Sequence, residues 1–185
     1  MSNTPSTMLP LGTPATAFSL FDTISHQKME LSNLRSEKGT LIIFICNHCP
    51  FVIHVIEKVT QIAKKYKKKG IKTIAISSND VVNYPQDAPK LMTKFAERYA
   101  FSFPYLYDET QEVAKVYQAA CTPDFFLFDK KLTLAYRGQL DNSRPGNGIP
   151  LTGKDLQDAM DQLLEGKEIS SLQKPSMGCN IKWKS

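Results

Sequence analysis

Cysteine is scarce in this chain: four residues in 185, well below the density of a disulfide-built scaffold. Long apolar runs are missing too. Residues 41–46 are among the longest, against the roughly 20 residues that a membrane-spanning helix requires. Residues 1–10 hold neither a basic cluster nor an apolar core, so no secretory signal is expected and the cytoplasm is the expected compartment. Charge of one sign barely prevails: 23 Lys and Arg against 18 Asp and Glu leave a net +5. What the chain does have is 42% hydrophobic, 22% charged and 10% aromatic content, which excludes a disordered chain. A chain of this length buries roughly 70% of its unfolded surface, so its core needs no staples. The four cysteines must be judged by position.

Much of the positive excess sits in Lys64, Lys65, Lys67, Lys68 and Lys69, just before Gly70. Cations gather there because the end of a helix carries partial negative charge. No aromatic or glycine interleaving marks a nucleic-acid surface, so neither nucleic acid nor membrane is an expected partner.

The pattern predicts a polar lead-in over residues 1–12, flexible at its start. Two short strands follow at 17–21 and 28–31. Residues 40–45 are apolar without alternation, the mark of a strand covered on both faces. From 49 to 69 apolar residues recur at helical spacing, and Gly70 supplies the stop. A second buried strand at 72–77, a helix at 87–99, a strand at 104–107 and a helix at 109–118 come next. Strands at 124–128 and 132–137 are joined by a tight turn, and a glycine- and proline-rich loop covers 140–150. Thr152 is the expected N-cap of a last helix ending at Gly166. This alternation predicts an α/β domain over 13–168, with a central mixed β-sheet flanked by helices, an N-terminal strand extension, and a C-terminal tail over 169–185 packed on the domain.

Cys46-Asn47-His48-Cys49-Pro50 lies where the most buried strand meets the longest helix. A Cys-x-x-Cys on a first helical turn brings two sulfurs within disulfide range. The helix N-terminus aims N–H groups at Cys46 and favours its thiolate, and His48 adds a donor beside it. Cys46, at the end of the strand, is the expected exposed nucleophile; Cys49, one turn in, is the expected buried resolving thiol. Cys46, His48, Cys49 and His54 also form a set of zinc-ligand types, but without a second Cys-x-x-Cys pair the redox reading leads. The redox pair works with its own sulfurs, so no metal and no cofactor is expected.

A second element is Cys121-Thr122-Pro123-Asp124-Phe125-Phe126. Proline is out of place at the start of a buried strand, because it cannot donate to the ladder. The order strand, Cys-x-x-Cys, helix, Thr-Pro, strand and hairpin resembles the thioredoxin-like fold. Within it the chain is similar to the redoxin branch, the superfamily of alkyl hydroperoxide reductase and thiol-specific antioxidant proteins. It is especially similar to a bacterial group marked by Cys-Asn-His-Cys-Pro-Phe-Val (46–52), Ser-Ser-Asn-Asp (77–80), Thr-Pro-Asp-Phe-Phe (122–126) and Tyr-Arg-Gly-Gln (136–139). The resemblance implies that Pro123 is a cis-proline facing Cys46 and Cys49. It departs from the peroxiredoxin pattern Pro-x-x-x-Thr-x-x-Cys in either register: counting back from Cys49 meets Cys46 and Ile42, and counting back from Cys46 meets Ile43 and Gly39.

The expected activity is thiol–disulfide oxidoreduction, with Cys46 attacking a protein or small-molecule disulfide and Cys49 resolving it. A thioredoxin- or glutathione-type donor would return the electrons. A thiol peroxidase, or a redox-sensing or metal-binding module without turnover, are the alternatives. Cys121, Thr122 and Cys179 are accessory candidates, Cys179 either as a mobile resolving thiol or in a tail anchored by Ile181 and Trp183. Asn79, Asp80 and Asp124 follow or begin strands near the expected site, and Asp80, Asp124 or Glu57 are candidate acceptors for the Cys49 proton. Arg137 and Arg144 flank the 140–150 loop and are read as surface residues, with shaping of a substrate groove as the alternative.

Overall fold

The computed structural model describes residues 3–185. Its elements run β1 (Asn3–Pro5), β2 (Ser19–Asp22), β3 (Lys28–Glu30), α1 (Leu31–Leu34), β4 (Gly39–Phe44), α2 (Pro50–Lys67) and β5 (Ile71–Ser77). They continue with a 3-10 turn (Pro85–Asp87), α3 (Pro89–Arg98), β6 (Tyr105–Tyr107), α4 (Glu112–Val116), β7 (Cys121–Thr122), β8 (Asp124–Asp129), β9 (Leu134–Gly138), α5 (Lys154–Leu164) and β10 (Met177–Asn180).

β4 is buried along its whole length because it is flanked on both edges and covered on both faces. The main sheet has seven strands in the order β3-β2-β6-β5-β4-β8-β9. β4 pairs parallel with β5 and antiparallel with β8. Alternate side chains of β4 feed two cores, as the period of a strand requires. Leu41 and Ile43 join Val52, Ile56 and Val59 of α2 and Leu156 and Met160 of α5. Ile42 and Phe44 face the opposite layer with Ala114, Tyr117, Phe126 and Phe128. No helix among the described residues is long and apolar enough to cross a membrane.

A second sheet joins the two ends of the chain. β10 lies between β1 and β7, antiparallel to both. The flexible lead-in expected at the N-terminus is corrected over its described part: Asn3–Pro5 is a strand, Ser6 N–H donates to the Ser176 carbonyl at 2.8 Å, and Leu9 is buried. The partner that orders it lies more than 170 residues away in sequence, so no local pattern could announce it. Residues 1–2 of that lead-in lie outside the described residues.

Two further boundaries shift. The last helix starts at Lys154 with Gly153 as its N-cap, one residue later than expected. Thr152 Oγ1 still accepts the Lys154 N–H at 3.2 Å, and Asp141 Oδ2 fixes the approach by accepting the N–H groups of Thr152 and Gly153, each at 2.6 Å. The lysine-rich end of α2 finds local partners: Lys69 pairs with Asp161 at 2.8 Å and Lys65 donates to Gln157 at 2.8 Å.

Candidate active site

β4 delivers Cys46 two residues past its end, and α2 begins only at Pro50, with Cys49 in extended backbone as its N-cap. The Cys-x-x-Cys segment is therefore a loop running into a helix, which corrects its expected place on the first turn. Pro50 fits the first helical position because it has no N–H to leave unsatisfied. Both sulfurs are free thiols, and both residues are buried, Cys46 at 1% exposure and Cys49 at 0%. The exposed nucleophile expected at Cys46 is thus a covered one in this state.

The lid over the pair is Thr122-Pro123, whose peptide bond is cis. Thr122 touches both sulfurs: its Oγ1 lies 3.5 Å from Cys46 Sγ, and its carbonyl oxygen accepts from the Cys49 thiol at 3.1 Å. β10 seals the far side, with Cys179 directly opposite Thr122 in the ladder and Asn180 opposite Cys121. Gly178 must be glycine, because a Cβ there would stand 2.0 Å from the Thr122 carbonyl oxygen. Cys179 is buried in the same core as Cys46 and Cys49, and burial, with the neighbouring Cys49 sulfur, pushes its thiol up.

The electrostatics separate the two thiols. Cys46 is pushed well up by its hydrogen bond to Cys49, by burial and by the nearby Asp87 carboxylate. Cys49 is drawn down to about 5 by the Cys46 thiol, against burial, with the Cys179 thiol, the Val52 N–H and Thr122 adding to the effect. The helix contributes one N–H, that of Val52, and it acts on Cys49, while Cys46, the expected thiolate, is the sulfur that is raised.

Asp87 is the buried acid of the site, and the sequence reading missed it by counting it as the first residue of a helix. Its Oδ1 accepts the Asn47 N–H at 2.8 Å and its Oδ2 accepts Asn79 Nδ2 at 2.8 Å. His48 Nδ1 stands 2.7 Å from Oδ2, and the ring stacks on Tyr84 with centroids 5.8 Å apart. One signal was available: a loop after a buried strand that carries several Asn and Asp residues collects ligating groups at the carboxyl end of an α/β sheet. Cys46, His48 and Asp87 offer ligand atoms that all lie within 4.8 Å of one another. With both its oxygens already engaged, Asp87 serves a hydrogen-bond network here, so a metal would have to displace those contacts.

The other candidates fall into place around this centre. Asn79 bridges it to the tail, accepting the Lys182 N–H at 2.9 Å. Asp80 turns away from the cysteines to hold the Val82 N–H at 3.0 Å and the Asn83 amide, which draws its carboxyl down. Asp124 is buried at the start of β8 and pairs with Arg137 at 3.1 Å. Burial pushes its carboxyl up to about 6, with Arg137 opposing. Arg137, read as a surface residue, is fully buried, with its guanidinium over the Phe126 ring. Cys121 is buried and pushed up by burial. Glu57 is exposed, and His54 bonds Ser143 at 2.8 Å, apart from the cysteines. Arg144 donates to the carbonyls of Asp141 and Ser143, pinning its own loop. The tail is anchored by buried Ile181, while Trp183 remains 42% exposed.

The family model for the AhpC/TSA family matches residues 11–137. The chain belongs to the AhpC/TSA family. Within reach of this AhpC/TSA chain, the thiol-disulfide oxidoreductase ResA of Geobacillus kaustophilus is 30% identical over 128 residues, 69% of this chain and 68% of that protein. The crystal structure of an uncharacterized conserved protein from the same organism is 53% identical, with a TM-score of 0.98 over 100% of this chain and 97% of that one. The thioredoxin domain of a thiol-disulfide oxidoreductase from Bacteroides vulgatus shares the fold at 16% identity, with a TM-score of 0.66 over 84% of this chain and 99% of that one. The AhpC/TSA architecture here is thus a thioredoxin-like α/β fold.

Proposed function

We propose that this protein is a thiol–disulfide oxidoreductase in which Cys46 and Cys49 are the redox pair. One observation carries the reading: two sulfurs converge on the single residue Thr122, one at its hydroxyl and one at its carbonyl. The similarity to a relative named as a thiol-disulfide oxidoreductase supports it.

The steps follow from which group holds the proton. Cys46 starts as a thiol beside the His48–Asp87 contact, and the imidazole takes its proton as it attacks a substrate disulfide. A Cys46–substrate bond forms, and the other substrate sulfur leaves as thiolate. Resolution needs a thiolate already in place, and Cys49 is the sulfur that the site ionises most readily. It attacks the Cys46 sulfur, the Cys46–Cys49 disulfide forms, and the remaining substrate sulfur leaves reduced. The substrate gains two electrons, which a thioredoxin- or glutathione-type dithiol or thiol pair restores to the protein.

Disulfide exchange is favoured over peroxide reduction by the residues at the peroxidatic motif positions. Counted from Cys46, the attacking cysteine, the proline and threonine positions of the peroxiredoxin pattern hold Gly39 and Ile43; counted from Cys49 they hold Ile42 and Cys46.

Trapping tests the order of attack. Cys49→Ser should accumulate a mixed disulfide on Cys46 when offered a disulfide substrate such as insulin, and Cys46→Ser should abolish insulin reduction. A stable adduct on Cys49 in the Cys46→Ser protein, with turnover retained, overturns this order.

A further inference from the structure

Cys179 belongs to the tail, outside the Cys-x-x-Cys motif, yet the fold delivers it to the same spot. The ladder sets it opposite Thr122, the residue that both active-site sulfurs touch. Gly178 lets the tail backbone approach the Thr122 carbonyl closely. Beyond it the tail is clamped: Ile181 N–H donates to Ala120 at 3.1 Å, Asp80 N–H to the Lys182 carbonyl at 2.8 Å, and Lys184 N–H to Gln111 at 2.8 Å. On its other edge β1 pairs Asn3 with Cys179. Cys179 is therefore held in place rather than swung in. At 7% exposure it is also the least covered of the four cysteines.

We infer that Cys49 is shared between two alternative disulfides, one to Cys46 and one to Cys179, making the site a three-thiol exchange centre. This rests on the oxidoreductase reading of the Cys46–Cys49 pair and extends it.

The exchange step balances within the protein. Starting from the Cys46–Cys49 disulfide, Cys179 loses its proton and attacks the Cys49 sulfur. The Cys49–Cys179 bond forms as the Cys46–Cys49 bond breaks. The electron pair of the broken bond leaves on Cys46, which takes up a proton in place of the one Cys179 lost. One disulfide and one free thiol exist before and after, so no oxidant or reductant is consumed. An oxidised molecule then still carries a free Cys46 thiol beside His48, poised to attack a further disulfide. A two-cysteine site has no such state.

The test maps disulfides in the full chain. Wild type, Cys46→Ser and Cys179→Ser are oxidised with oxidised glutathione, alkylated in acid with N-ethylmaleimide, digested without reductant and analysed by mass spectrometry. Expected are both a 46–49 and a 49–179 link in wild type, only the 46–49 link in Cys179→Ser, and a 49–179 link with loss of two hydrogens in Cys46→Ser. Cys46→Ala, which buries no hydroxyl, should give the same 49–179 link. If both Cys46 variants leave Cys49 and Cys179 alkylated or glutathionylated, while Cys179→Ser forms its 46–49 link, the three-thiol centre is overturned and the pair survives. If wild type neither forms a 46–49 link nor reduces insulin, the oxidoreductase reading falls, and the exchange centre with it.

Discussion

His48 Nδ1 stands 2.7 Å from Asp87 Oδ2, joining a ring that is 26% exposed to a carboxylate that is fully buried. The same carboxylate raises the neighbouring Cys46 thiol. In the proposed first step Asp87 would have two opposed effects: its charge makes Cys46 harder to ionise, and its contact would orient His48 as the base.

Asp87→Asn separates these effects. The pH profile of Cys46 alkylation, measured in a Cys49→Ser background, should move to lower pH because a like charge has gone. Disulfide turnover of the otherwise wild-type enzyme should nevertheless fall about 100-fold, the usual scale for a lost general base. A merely structural role for Asp87 would lower turnover without moving the alkylation profile downward.

Titration of the reduced protein at 240 nm should show one thiolate appearing near pH 5, assigned to Cys49 and absent in Cys49→Ser. Its folded value lies below the ordinary 9.0, so the folded state binds fewer protons than the unfolded state between the two. That contribution to stability is present above the ordinary value and lost as pH falls through about 5. Comparing wild type with Cys49→Ser by denaturant unfolding from pH 6 to 9, the stability gap should widen in favour of wild type as pH rises.

The tail contact predicts a local defect. Gly178→Ala places a Cβ 2.0 Å from a backbone oxygen, which no side-chain rearrangement can relieve. Overpacking of this kind costs about 1–3 kcal/mol, measurable as a lower denaturant midpoint. Alkylation of Cys179 under native conditions should accelerate in the same variant, since β10 is the strand displaced.

Arg137 and Asp124 test the buried support beneath the site, where both side chains have 0% exposure. Arg137→Met should cost about 3–5 kcal/mol by stranding a buried carboxylate. Adding Asp124→Leu should recover much of that loss, because removing both charges also removes the desolvation cost of each. Equal stability of the single and double variants, read from denaturant unfolding, would show that the two residues do not interact.

By itself the sequence determined what depends on neighbours within a few residues. The unbroken apolar run of β4, the helical spacing of α2 with its glycine stop, and the Cys-x-x-Cys at their junction are local patterns, and they picked out Cys46 and Cys49 as the proposed redox pair. Thr122-Pro123 was legible as a breaker before a buried strand, although its place over both sulfurs came from family resemblance. Tertiary structure decided the rest. Asp87 enters the site because β5 ends beside β4 and the following loop folds back over Asn47 and His48, a contact across about forty residues that periodicity does not encode. The same holds for Arg137: its burial depends on Asp124, on a neighbouring strand. Cys179 reaches Cys49 only because β1 and β7 grip the tail strand between them, a pairing of the chain's two ends. Which sulfur ionises was decided there as well: the Cys46 thiol does most to draw Cys49 down, and the Cys179 thiol, brought in by the tail, and the Val52 N–H add to it.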